Sequence, residues 1–313
     1  REYVLLHFQE GAPELEYRWF ANHGQVGGAL DTDAHGSFKA YMFDATDAYL
    51  RMDSGNLNYA FAEGDILQLR VKLTNIADSV LTDHTGLTEG TMPLDKGFKA
   101  YFKTNANEQL NETYTTKALA FDSLTDGEFA VISLPMRSSF EGITLESVRI
   151  DILDGYTTAA SGIYEIDYIY IGAPATAPVK VTLQTEDGRE LYSRYHAYGQ
   201  SVAEAVIAPE KASDEVYSYP FAAWINDEGE FIDPHSYSFK EETVLTASYE
   251  KKAHTFTYID NLDGTHEAIC ECSYSTVSDH KWDDGKLTNE ATCTQGGVLT
   301  YSCIFCPASK TVP

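Results

Sequence analysis

The residues best suited to chemistry lie near the C-terminal end of the chain. All five cysteines fall between Cys270 and Cys306, as the pairs Cys270/Cys272 and Cys303/Cys306 with Cys293 between them, and His254, His266 and His280 are interleaved with them. Thiolate and imidazole are the usual ligands of tetrahedral zinc, and a short turn bearing Cys-x-x-Cys offers two thiolates to one ion. Cys303 and Cys306 have that spacing, and with His280 and Cys293 they make the expected structural zinc site. A set drawn from both stretches, Cys270, Cys272, Cys303 and Cys306, is its rival and leaves Cys293 as a buried thiol. The set His254, His266, Cys270 and Cys272 is less regular, because Cys-x-Cys strains chelation of a single metal. Disulfides are the remaining reading, being common in small secreted domains. An odd number of cysteines then leaves one thiol unpaired. A closed four-ligand site has no open position, so the metal argues for structure and against catalysis.

Sugar binding would use another residue type. Exposed aromatic faces stack on pyranose rings, and polar side chains beside them take the hydroxyls. Trp19, Tyr41, Tyr49, Tyr59, Tyr101, Tyr114 and Tyr156 are candidates, in a chain whose 21 tyrosines exceed what cores normally use. For each ring the competing role is packing in a core or along an edge strand. Asp167 shares a strand face with Ile169 and Ile171 and is expected to be a half-buried carboxylate that needs a cation or donors. Arg149 is the expected partner, and calcium held with Glu14 or Glu16 is the alternative. Hydrolysis has little footing: carboxylate pairs such as Asp44 with Asp47 are commonplace in an acidic chain. No Gly-x-Ser-x-Gly elbow, phosphate loop or His-Glu-x-x-His stretch occurs. The expectation is a chain that is not an enzyme.

The elements that must position these residues are strands. From Tyr3 to Gly172 short runs such as Ile66 to Leu73, Phe98 to Phe102, Ser147 to Ile152 and Tyr164 to Ile171 alternate apolar with polar residues between Gly, Asp and Asn breaks. A period of two at this spacing predicts a β-sandwich, here a jelly roll over 1–173. Ala173 to Pro178 reads as an extended linker that buries nothing. A second small β unit follows over 179–252. Residues 253–313 hold two related stretches, each with His-x-aromatic, a glycine turn and a cysteine pair, too short to hold a core without a staple. The predicted fold is mainly β throughout. A formal charge of −26, with no Lys/Arg cluster evident along the sequence, disfavours nucleic acid and anionic lipid surfaces. A polysaccharide, a host glycan or glycoprotein, or a metal ion fits better. No apolar run approaches the roughly 20 residues that span a membrane. With no initiator Met or signal pattern, the chain reads as part of a larger extracellular protein, secreted or surface-displayed, with further domains outside it.

Three resemblances sharpen this. Residues 179–252 resemble the internalin-type B-repeat of bacterial surface proteins through Asp187-Gly188, Tyr198-Gly199-Gln200-Ser201-Val202, Pro209, Phe221-Ala222-Ala223-Trp224 and Ala247-Ser248-Tyr249, with Ala223 where the repeat commonly has Gly. That resemblance implies a ubiquitin-like β-grasp fold serving as a spacer or interaction module. Residues 253–313 look like the tandem Cys-containing repeats that end long surface proteins of gut-type anaerobes. Asp263-Gly264-Thr265-His266, Cys270-Glu271-Cys272, His280-Lys281-Trp282, Thr292-Cys293-Thr294, Gly296-Gly297 and Thr300-Tyr301-Ser302-Cys303 with Cys306 carry that likeness. Cys270 and Cys272 have one residue between them where such repeats usually have two. Residues 1–173 are similar to the jelly-roll modules of bacterial carbohydrate-active and surface proteins through Asp47-Ala48-Tyr49-Leu50, Gly64-Asp65, Val148-Arg149-Ile150-Asp151 and Ile166-Asp167-Tyr168-Ile169. Three functions remain open at this point: a glycan-binding module, a purely structural stalk, and an accessory region of a glycosidase or peptidase. An exposed aromatic strip on the sandwich favours the first, and fully packed faces favour the second.

Overall fold

The structure, a computed structural model, describes residues 2–7, 17–20, 23–31, 37–46, 48–52, 56–75, 97–116, 125–154 and 160–313; at 17–20, 23–31, 97 and 152–154 the backbone alone is described. Two compact units make up the chain: Arg1–Lys180 with Arg194–Gln200 and Ser238–Glu242, and Val181–Ser193 with Ser201–Tyr237 and Thr243–Pro313. Among the described residues the regular elements are strands and short 3-10 turns, with no α-helix.

The first unit contains β1 (Val4–His7), β2 (Tyr17–Phe20), β3 (His23–Asp31), β4 (Ser37–Thr46), β5 (Tyr49–Met52), β6 (Tyr59–Ala60), β7 (Ile66–Thr74), β8 (Gly97–Thr104), β9 (Phe129–Pro135), β10 (Thr144–Asp154) and β11 (Ala160–Gly172). They form two antiparallel sheets. One runs β3-β4-β11-β7-β9, with β1 also on β11, and the other runs β2-β5-β10-β6, with β8 also on β10. The two sheets pack as a sandwich of the jelly-roll class. Alternation explains the pairing. On β7, Leu67, Leu69, Val71 and Leu73 are buried, while Ile66, Gln68, Arg70 and Lys72 take the other face. Leu50, Met52, Phe98, Phe102, Val148 and Ile150 answer them from the second sheet within one core. Each such side chain contributes roughly 1.5–3 kcal/mol by leaving water. Phe61, Phe102 and Phe140 close one region of the core with ring centroids 5.5–5.9 Å apart.

Two irregularities on β11 matter. Its register against β7 shifts between Ile166 and Tyr168, so Asp167 is the extra residue of a bulge and leaves the face of Ile169 and Ile171. Its register against β4 shifts between Ala160 and Gly162. Gly162 has φ +144°, and a Cβ there would stand 2.7 Å from the Thr74 carbonyl oxygen and 2.9 Å from that of Asn75. Glycine is required at this point by both conformation and space. The expected extended linker is also corrected: Pro174–Thr176 form a 3-10 turn, and Pro178 is buried. The Tyr170 hydroxyl donates to the Ala173 carbonyl at 2.7 Å and meets Thr176 Oγ1 at 2.8 Å, which ties the turn to β11.

The next strands are β12 (Val179–Gln184), β13 (Glu190–His196), β14 (Tyr217–Ser218), β15 (Phe221–Ile225), β16 (Phe231–Ile232), β17 (Thr243–Tyr249) and β18 (Lys252–Ala253). A mixed sheet runs β13-β12-β17-β15-β16, and β12 and β17 are parallel neighbours. Trp224 is buried, Phe221 sits edge-on to it at 5.5 Å, and the Tyr249 hydroxyl donates to the Pro209 carbonyl at 2.6 Å. These are the aromatic and proline positions singled out from the sequence. The C-terminal stretch folds as two three-stranded antiparallel meanders, β19 (Phe256–Asp260), β20 (Thr265–Cys270) and β21 (Ser275–Asp279), then β22 (Lys286–Asn289), β23 (Val298–Ser302) and β24 (Ser309–Val312).

Replacing Gly162 by Ala is expected to destabilise the sandwich by about 1–3 kcal/mol. Thermal unfolding followed by circular dichroism checks this, and an unchanged midpoint would contradict the close approach of β11 to the end of β7.

Candidate metal centres and candidate ligand face

The two meanders have little apolar material to bury. Their buried cluster is Cys303, Cys306 and Ala308, with Tyr258 and Trp282 packed against it. His266, on β20, is also buried, and it meets Cys303 and Cys306 so that Nδ1 or Nε2 and both Sγ atoms lie within 4.8 Å of one another. His266 Nδ1 is 3.8 Å from Cys303 Sγ, and its Nε2 is 3.2 Å from the Ser278 hydroxyl across the β20–β21 pairing. A ring nitrogen held by a second partner fixes which nitrogen faces the sulfurs. Burial pushes the Cys303 thiol up, but backbone N–H groups of Cys306 and Phe305, together with the Cys306 thiol, donate to its sulfur and hold it below the ordinary range. Burial raises Cys306. Cys303 is therefore the more thiolate-like of the two, in a turn whose N–H groups already point at sulfur.

His280 lies against this cluster, parallel to His266 at 5.6 Å and edge-on to Trp282 at 5.0 Å. Its buried Nε2 makes no hydrogen bond, and Asp260 Oδ1 is 3.4 Å away. Cys293 is exposed and does not join Cys303 and Cys306; His266 stands with them instead. Cys270 and Cys272 do not join them either: they are disulfide-bonded to each other, with His254 beside them. His266, the second residue of β20, takes the place expected of Cys293 beside the sulfurs of the second meander. The sequence signal for His266 was present, but the internal echo assigned it to the first copy.

On the outer face of the second sheet, two cross-strand rows form, Tyr49–Asp151–Lys99 and Arg51–Arg149–Tyr101. Arg149 binds the fully buried Asp151 carboxylate through two nitrogens, each at 2.5 Å, and stacks over Tyr49 at 3.6 Å and Tyr101 at 5.1 Å. Glu112 accepts from Lys99 Nζ and from the Tyr101 hydroxyl, each at 2.7 Å. Sheet pairing thus gathers Arg51, Arg149, Lys99 and Lys103 on one face, a local cluster the linear sequence did not display, and Asp151, Glu112 and Glu146 answer it. Asp167, displaced by its bulge, pairs with Arg70 on β7 at 2.7 Å and not with Arg149. Its carboxylate is occupied by a guanidinium rather than poised for calcium, and Glu14 and Glu16 lie outside the described residues.

Of the aromatic candidates, Tyr59 is buried and donates to Asp65 at 2.7 Å, and Tyr114 packs on Phe140 at 5.7 Å. Tyr49 and Tyr101 each present a face to Arg149. Trp19 stands opposite Leu50 in register, with its backbone alone described, and Tyr156 and Asp47 lie outside the described residues. Tyr41 is different. It is 50% exposed on β4, two residues from Phe43 at 71%, and the two lie on the outer face of the first sheet. Tyr41 pairs with Gly27 of β3 on one side and with Ile163 of β11 on the other. Lys39 and Glu165 continue the same face as polar neighbours. Phe43 is not among the ring candidates of the sequence, which are tyrosines and one tryptophan.

Lys99 and Tyr101 hold the Glu112 carboxyl below its usual range, against a burial effect that would raise it. A depressed carboxyl stabilises the fold above its unfolded value, and this contribution is lost as pH falls through the lowered folded value. Lys99→Met is expected to move the Glu112 titration upward toward the ordinary value in carboxyl-carbon NMR, and an unmoved titration would refute the assignment.

No family model and no curated protein matches the chain. Among solved structures it is similar to the family 11 carbohydrate-binding module of the cellulosomal cellulase Lic26A-Cel5E of Clostridium thermocellum, with 11% identity over 55% of this chain and 94% of that one and a TM-score of 0.32. The xylan-binding module CBM15 aligns over 55% of this chain and 97% of that one, at 12% identity and a TM-score of 0.34. The glycoside hydrolase domain of Endo-D from Streptococcus pneumoniae R6 aligns over 86% of this chain and 38% of that one, at 12% identity and a TM-score of 0.39.

Proposed function

We propose that this chain is a non-catalytic segment of a bacterial surface or secreted protein in which the jelly roll of 1–173 binds a polysaccharide or host glycan. Residues 179–252 serve as a B-repeat-like spacer, and 253–313 are repeats stapled by zinc. The observation that carries the binding reading is the exposed pair Tyr41 and Phe43. Two exposed rings at i and i+2 on one strand face stand about 7 Å apart along the strand, a spacing suited to stacking on a saccharide chain. Lys39, two residues before Tyr41 on the same face, is the polar neighbour along the strand, while the buried Glu165 carboxylate beside it is already held by Ser37 and Lys72. Saccharides, being largely uncharged, tolerate the acidity of the chain.

The donor set of the second meander fits zinc. Two sulfurs and one imidazole nitrogen converge, and the orphaned Nε2 of His280 is the candidate fourth ligand. Zinc bound there would cross-link two meanders that bury little else, and a closed Cys2His2 set would leave no position for catalysis. The stalk reading is favoured by the packing of Tyr59 and Tyr114 and by the engagement of Tyr49 and Tyr101 with Arg149.

On a broad glycan array the chain is expected to bind, and Tyr41→Ala and Phe43→Ala are each expected to weaken binding about tenfold, from roughly 1.5 kcal/mol per lost ring contact. Tyr49→Phe leaves binding intact. A chain silent across the array sinks the glycan reading. Elemental analysis of reduced, chelator-free protein is expected to find zinc, of which Cys303→Ser loses about one equivalent per chain and Cys293→Ser none. An unchanged zinc content in Cys303→Ser would refute that assignment.

A further inference from the structure

The cluster around His254 has no part in that reading. We propose that His254, Cys270 and Cys272 form a second metal site, open on one side, which takes a borderline-soft divalent cation such as zinc when the two cysteines are reduced and releases it when they join as a disulfide.

Geometry supports the ligand set. The two Sγ atoms and an imidazole nitrogen lie within 4.8 Å of one another, and His254 Nδ1 is 3.2 Å from Cys272 Sγ. Zinc–sulfur and zinc–nitrogen bonds of about 2.3 and 2.0–2.1 Å place tetrahedral ligands roughly 3.5–3.8 Å apart, so shifts of a few tenths of an ångström suffice at the imidazole. The imidazole is already set for the task. Its Nε2 lies 2.8 Å from the Asp214 backbone carbonyl, an acceptor only, so Nε2 carries the proton and Nδ1 turns its lone pair to the sulfur. Tyr274 stacks on the ring at 4.6 Å and 9°, and Phe256 packs at 5.3 Å, which together hold its orientation.

The short cysteine spacing is accommodated by a turn. Ser273 has φ +69°, its N–H donates to the Cys270 carbonyl at 3.0 Å, and the Cα atoms of Cys270 and Cys272 stand 5.1 Å apart with both sulfurs on one side. The strain expected of Cys-x-Cys from sequence is absorbed there. The Cys272 N–H points to Cys270 Sγ at 3.3 Å, a donor that favours the thiolate. Three protein ligands leave a fourth tetrahedral position. Beside Cys272 lies a hollow of about 380 Å³ lined by Glu210, Lys211, Ala212, Ser213, Ser273 and Tyr274. The His266 centre differs in having His280 stacked over a fully buried set.

The switch balances. On reduction by two molecules of a small thiol, which leave joined as their own disulfide, the protein disulfide becomes two thiols, and a cation displaces two protons from them. On oxidation by a low-molecular-weight disulfide, one protein thiolate attacks, a mixed disulfide forms, and the second cysteine displaces the small thiol. Two protein thiols become one disulfide, one added disulfide becomes two small thiols, and the cation leaves.

The whole chain, reduced with a phosphine and desalted without oxygen, is titrated with cobalt(II) alone and then treated with oxidised glutathione. The expected result is thiolate-to-cobalt charge transfer at this site and release of about one cobalt per chain on oxidation. The Cys303→Ser/Cys306→Ser double variant keeps that release, so failure of the His266 zinc reading is distinguishable from failure here. Cys272→Ser and His254→Ala each lose it. No release from the unaltered chain, which needs no variant to fold, would overturn the proposal, as would unchanged release from Cys272→Ser.

Discussion

A sheet with an apolar face must have that face covered, and the means of covering it set the rest of the structure. In the jelly roll the two sheets cover each other. Leu67, Leu69, Val71 and Leu73 meet Leu50, Phe98, Phe102 and Ile150 in a single cluster, and the outer faces are left to polar and aromatic side chains. The C-terminal meanders have no second sheet of comparable apolar content. Their buried cluster consists of two cysteines and an alanine under Tyr258 and Trp282, and β21, β22 and β24 are exposed at every residue. Hydrophobic burial alone gives such a segment little, and the side chains it does bury include the Cys270, Cys303 and Cys306 sulfurs and the His266 imidazole.

This contrast decides what was legible in the sequence. Alternation is a property of consecutive residues, and the strand over Ile66–Thr74 could be read directly because its neighbours in sequence already state which face is buried. Pairings between distant strands are not written in consecutive residues. Arg149 was matched with Asp167 by plausibility, but a one-residue bulge turns Asp167 toward Arg70 and frees Arg149 for Asp151, two positions along its own strand. The same limit hid the cation cluster of Arg51, Arg149, Lys99 and Lys103, which exists only when β5, β10 and β8 lie side by side.

The cysteine segment shows a different failure of inference. Spacing identified the residue types and the Cys303/Cys306 pair, since two thiols three apart in a turn converge whatever else happens. The internal echo suggested that each copy keeps its own ligands. Strand pairing instead sends His266, the second residue of β20, to the sulfurs of the other copy, while His254, before β19, meets Cys272. One Cys/His group therefore follows the sequence copy, His254 with Cys270 and Cys272, and the other crosses between copies, His266 with Cys303 and Cys306. Cys293, with neither strand nor burial to hold it, joins neither group.

Ring faces obey a similar rule. Tyr49, Tyr59, Tyr101 and Tyr114 are equivalent in sequence to Tyr41, yet a tyrosine is available to a ligand only if nothing in the fold has claimed its face first. Arg149 stacks on two of these four, and the core packs the other two. Tyr41 escapes because β4 turns Ala40 and Met42, not Tyr41, inward, and because its pairing partners on the two sides are Gly27 and Ile163, neither of which carries a charge to stack on the ring. The exposed pair thus follows from the alternation of β4, which sends Tyr41 and Phe43 to the outer face as it buries the residues between and before them.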